Sequence, residues 1–174
     1  MINLRTKQHA IIIGGLSLLV VIGIIAGGLW LTHRQTGPTS AGSGHVVAIH
    51  ELGIQITVPD SIKDLRYVVN AVPLDNGRLA TIAGFSTSIL TKRDPGCTPQ
   101  DAPLGSLEKV LGQYPSSDPT AVATYGHLVK QFPTFFITVD VPQSVCSTNH
   151  TTQVMANQAR HDFLAAQSSI QQLH

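Results

Sequence analysis

Between residues 10 and 32 the chain reads AIIIGGLSLLVVIGIIAGGLWLT, a run of 23 positions without a charged side chain. Coiled as a helix at 1.5 Å per residue, it spans about 34 Å, slightly more than the ~30 Å hydrocarbon core of a bilayer. A secretory leader has a shorter apolar region, about 7–15 residues, closed by a small-residue cleavage site. The best such site here, Thr39-Ser40-Ala41, stands well past the apolar end, with Arg34 and Pro38 in between. The run is therefore expected to stay in the lipid bilayer as a single-pass anchor. No Cys follows it closely enough to serve as a lipoprotein acceptor.

Arg5 and Lys7 precede the run, and only Arg34 and His33 follow it directly. By the positive-inside rule, residues 1–9 form a cytoplasmic tail and the body of the chain is extracytoplasmic. Gly23 and Gly27 make a GxxxG pair, through which two such helices can approach closely, so they are the candidate helix–helix contact of a homodimer. Residues 33–44, including QTGPTSAGSG, are rich in Gly, Ser and Thr and carry no hydrophobic period, which marks a flexible linker. Residues 45–174 remain for one domain of ordinary size.

That body contains eight of the eleven Lys and Arg residues and all ten Asp and Glu. It has no clustered basic face of the kind that neutralises phosphates, so nucleic acid is excluded as a partner. GIQITVP alternates Ile54, Ile56 and Val58 with Gln55 and Thr57, which predicts a half-buried strand, preceded by a partner over residues 45–50 and a turn at Gly53. Two further strand-like runs flank Asp75-Asn76-Gly77, residues that tolerate positive φ and favour a hairpin reversal. A later strand pair is expected over residues 122–132 and 134–141. In the second of these, Phe135, Ile137, Val139 and Val141 alternate with Phe136, Thr138 and Asp140.

Helix is expected in two places. Over residues 103–115, Leu104, Leu107 and Leu111 stand at helical spacing between Pro103 and Pro115. Over residues 151–173, Met155, Ala159, Phe163, Ala166, Ile170 and Leu173 form one apolar stripe, with a polar face of Gln, Ser and Asn behind it. The sum is an α+β domain: an antiparallel sheet with a short helix and a longer C-terminal helix packed on it.

Outside the membrane, two thiols in one small domain commonly pair, so Cys97 and Cys146 are expected to form a disulfide. Their separation does not suit a C-x-x-C redox centre. Ser106-Leu107-Glu108-Lys109 matches S-x-x-K, in which one helical turn sets the Lys amine beside the Ser hydroxyl as its base. With Ser147-Thr148-Asn149 it is similar to part of the penicillin-binding and serine β-lactamase pattern, but the K-T-G element is missing. GFSTS, from Gly84 to Ser88, is half of a nucleophile elbow, lacks the second Gly, and falls within a predicted strand.

His45 and His50 are five apart and point to opposite faces of one strand, so they do not make a metal pair. No metal or cofactor is expected. Asn149-His150-Thr151 is an N-x-T sequon whose Asn also suits the N-cap of the C-terminal helix. The sequence thus predicts a membrane-anchored, extracytoplasmic binding or interaction domain of the cell envelope, with an envelope protein or a second copy as partner. The alternative is an anchored serine hydrolase or acyltransferase using Ser106 and Lys109.

Overall fold

Alternation, turn residues and two-sided burial together build the domain in the computed structural model, which describes residues 43–74 and 77–174. The expected anchor, most of the expected linker, and Gly23 and Gly27 lie outside the described residues. Among those described, no helix is long and apolar enough to cross a membrane.

Strands β1 (Gly44–Ile49) and β2 (Ile54–Pro59) form the first antiparallel hairpin. Gly53 takes the left-handed conformation the reversal requires, with φ of 67°. Ile54, Ile56 and Val58 are buried while Gln55 and Thr57 face outward, as the alternation predicts. Strands β3 (Leu65–Pro73) and β4 (Leu79–Thr87) pair antiparallel along their whole length. The turn between them contains Gly77 at φ 75°, and Leu74 donates its N–H to the Arg78 carbonyl across the reversal at 2.7 Å.

At the end of β4 the Thr87 hydroxyl accepts from Leu90 N and caps a short helix, α1 (Ser88–Arg93). A single 3-10 turn (Pro99–Asp101) then crosses β4, over Gly84, where any Cβ would overlap the Pro99 carbonyl oxygen. Strand β5 (Gly105–Leu111) follows, in place of the helix expected over residues 103–115. The reason is burial on both faces: Leu107 packs into the main core and Val110 into a second cluster on the opposite face, both fully buried. Of the three leucines at helical spacing, Leu104 and Leu107 do enter the main core, but Leu104 lies in the turn before the strand and Leu111 is 62% exposed.

The next expectation is corrected in the reverse sense. Ala121–Tyr125 is a short helix, α2, where the strand over residues 122–132 was expected to begin. Asp118 captures both the backbone N–H and the hydroxyl of Thr120 at 2.8 and 2.7 Å and so opens a turn. Gly126, at φ 76°, ends the helix against β7, because a Cβ there would meet the Val139 carbonyl. Strands β6 (His127–Gln131) and β7 (Phe135–Asp140) then pair as expected, with an irregularity between Leu128 and Lys130. Both faces of β7 are buried, Ile137 in the main core and Phe136 in the second cluster.

Helix α3 (His150–Ala166) is capped by Asn149, whose side chain accepts from Thr152 N at 3.1 Å. Phe163 is fully buried and its ring lies 4.7 Å from that of Phe85. The expected helix to residue 173 stops at Ala166. A 3-10 turn (Gln167–Ser169) follows, then strand β8 (Gln171–Gln172), which pairs with β2. The Ser169 hydroxyl explains the break, since it donates to the Ala166 carbonyl and accepts from Thr57 N, offering the backbone an alternative to another helical turn.

The strands make two antiparallel sheets in place of one, ordered β1-β2-β8 and β3-β4-β5-β7-β6. The main core joins residues of both sheets with α1 and α3. Helix α2 covers the other face of the five-stranded sheet, where Tyr125 and Phe136 meet edge to face. The architecture is α+β with antiparallel sheets and a C-terminal helix. The disulfide between Cys97 and Cys146 is formed and ties the segment after α1 to the segment before α3.

Candidate functional site

Ser106 and Lys109 both lie on β5, an extended strand on which residues three apart project to opposite faces. Ser106 stands across from Gly84 on one side and Asp140 on the other, while the Lys109 Nζ lies 4.7 Å over the Phe135 ring. The helical turn that S-x-x-K requires is not formed. The GFSTS segment does reach a strand-to-helix junction, at Thr87 and Ser88, although a continuous strand was expected there. Its middle serine, Ser86, is fully buried and donates to the Cys97 carbonyl at 2.6 Å, so its hydroxyl supports the chain near the disulfide. His45 lies on β1 and His50 in the turn after it. Among the described residues no group of three or more His, Cys, Asp or Glu is placed to hold a metal ion.

Two features other than the predicted Ser106 and Lys109 pair stand out. The first is a groove of about 400 Å³ between α1 and the middle of α3. Its floor is apolar: Leu90 and Met155 below, with Ile89 and Val154 left 45% and 55% exposed. The rim is polar and preorganised. Asp162 accepts from Ser61 Oγ at 2.7 Å and from Gln158 Nε2 at 2.8 Å, and Asp64 accepts from Ser88 Oγ at 3.0 Å. The hydrogen bond from Ser61 holds the Asp162 carboxyl below the usual aspartate range and keeps it charged. Lys63 is the one cationic side chain among the residues lining the groove, against Asp64 and Asp162. The groove also lies where the chain comes into the domain, since Ser43 O accepts from Asp60 N next to Ser61.

The second feature lies on the face of the five-stranded sheet away from the main core. Ser106 and Asp140 are direct cross-strand partners on β5 and β7, and so are Glu108 and Thr138 one step along the same face. Four oxygen-bearing side chains thus occupy a two-by-two block. Thr138 is 1% exposed, and its hydroxyl and Glu108 Oε1 are both enclosed with no hydrogen-bond partner. Burial raises the Glu108 carboxyl above its ordinary value, and the neighbouring Asp140 adds to the shift.

Sequence reasoning missed both features for local reasons. Glu108 was assigned to a helix, which hid its register with Thr138. Val154 sits on the face of α3 read as polar, so a single off-stripe valine was the available signal for the groove. The chain matches no family model, no curated protein and no solved structure.

Proposed function

We propose that the protein is a binding module of the cell envelope, held outside the membrane by residues 10–32, and that the groove between α1 and α3 is its contact surface. The occupant that fits is a partner-protein segment presenting an apolar side chain next to a Lys or Arg. Ile89 and Val154 supply exposed apolar area at the mouth, and removing it from water favours association at about 25 cal/mol per Å². The rim carboxylates Asp64 and Asp162 outnumber Lys63, which favours a cationic neighbour to that apolar group. The observation that carries this reading is the apolar floor bounded by fixed carboxylates.

The test uses the full chain in detergent micelles and immobilised short peptides, each an apolar anchor followed by Lys, Glu or Gln. Selective retention of the Lys series, lost in Val154→Glu and weakened in Asp162→Asn, supports the reading. Equal retention of all three series, or retention unaffected by Val154→Glu, refutes the groove as the contact surface. Digestion of the C-terminal domain by protease added to intact cells tests its placement, and complete protection refutes it.

A further inference from the structure

The block of Ser106, Glu108, Thr138 and Asp140 has no part in that groove and lies on the opposite side of the five-stranded sheet. We propose that it is a binding site for a hard divalent cation of the calcium type, with the Glu108 and Asp140 carboxylates and the Thr138 hydroxyl as ligands and Ser106 at its margin. Three observations carry it. First, the four groups face one way on paired strands without a bulge between them, so the sheet itself fixes their spacing. Second, Thr138 is 1% exposed with an unpartnered hydroxyl, and its direct neighbour Glu108 has an equally enclosed, unpartnered Oε1. Buried polar atoms are ordinarily satisfied, and two orphans side by side mark a place where a partner is missing. Third, the four side chains of the block include two carboxylates, Glu108 and Asp140, and no cation, so its own charge is negative.

The donor chemistry selects the ligand. Carboxylate and hydroxyl oxygens without nitrogen or sulfur suit Ca²⁺ or Mg²⁺ over zinc or copper. Calcium accepts irregular geometry and completes its shell with water, whereas magnesium demands near-ideal octahedral geometry. Access is from one side only. Asp140 is exposed and Ser106 and Glu108 are half-buried, while Thr138 forms the floor. The walls are Ile82, which stands across from Glu108 on β4, and Leu128, which stands across from Thr138 on β6. Two carboxylates make a weak site, in the range of about 10⁻⁴–10⁻³ M found for extracellular modules.

The experiment titrates the full chain in detergent micelles with CaCl₂, reading thermal unfolding and the methyl resonance of Thr138, against NaCl at matched ionic strength. The expected result is a saturable rise in Tm and a saturable methyl shift with a midpoint in that range. The rise in Tm is lost in Glu108→Gln and in Thr138→Val, the methyl shift is lost in Glu108→Gln, and both are kept in Lys109→Gln, which alters the other face of β5. Because Thr138→Val is nearly isosteric, it tests the site even if Glu108→Gln fails to fold. A response that NaCl reproduces, no response at about ten times the upper concentration, or a rise in Tm that survives both substitutions overturns the proposal.

Discussion

Replacing Cys97 and Cys146 together by Ala should cost the domain a large share of its stability, and the size follows from the chain length they enclose. The two residues are 49 positions apart, so the bond closes a loop of about 50 residues in the unfolded chain. The chain-entropy relation gives about 4 kcal/mol at 25 °C for a loop of that length. Native domains are stable by only about 5–15 kcal/mol, so the loss is not marginal. For a domain of this size it corresponds to a fall in Tm of about 10–20 °C. The native contacts that survive are substantial, because the Cys97 carbonyl still accepts from Ser86 Oγ and Thr91 Oγ1 at 2.6 and 3.0 Å. The fold should therefore persist, and the change should reside in the denatured state. Guanidinium unfolding of the oxidised chain, the reduced chain and the double variant is the assay. The reduced chain and the variant should agree with each other and show a steeper dependence on denaturant than the oxidised chain, since the freed loop exposes more surface. A loss under about 1 kcal/mol with an unchanged slope would refute the argument that the bond acts by restricting the unfolded chain.

Phe163→Ala should cost about 3–5 kcal/mol, because the ring is fully buried against Phe85, and a denaturant midpoint close to wild type would show that α3 is seated elsewhere. Asn149→Ala removes the cap on Thr152 N and should cost about 1 kcal/mol; if Asn149→Ser, which preserves an accepting oxygen, loses as much, capping is not the cause. Glu108 has a folded-state pKa above its ordinary value of 4.5, so its stabilising contribution is complete below that pH and is lost as pH rises through the raised value. In calcium-free buffer, Glu108→Gln should therefore gain stability relative to wild type across that rise, and parallel stability profiles would contradict the assignment. Asp162 has the opposite sign, its contribution being present above the ordinary aspartate value and lost as pH falls. Ser61→Ala should shrink that acid-side loss, read from urea midpoints between neutral and acidic pH.

Local signals were readable wherever one face of an element is dry and the other wet. Ile54, Ile56 and Val58 against Gln55 and Thr57 are such a case, and the wet face of β2 follows from a three-stranded sheet that packs on one side only. The Gly77 reversal and the Asn149 cap were legible because a single residue type carries the geometry. Strand β5 was not, since Leu104 and Leu107 are both buried as a helical stripe would have them, while Val110 serves a second core and Leu111 is exposed. The α2 helix depends on Asp118 seizing Thr120, a contact outside any periodicity. The break after Ala166 depends on Thr57, more than a hundred positions away in the chain. Both candidate sites depend on register between distant segments: Glu108 gains its meaning from Thr138, and Val154 from Ile89.

The pairing of β8 with β2 also sets a timetable. Gln55 Nε2 donates to Gln171 Oε1 across 116 positions of sequence, and Leu173 N donates to the Gly53 carbonyl beside it. During synthesis the first hairpin emerges early and then waits with Ile54, Ile56 and Val58 uncovered until the last helix arrives. The first sheet is therefore complete only once the segment after α3 has joined it.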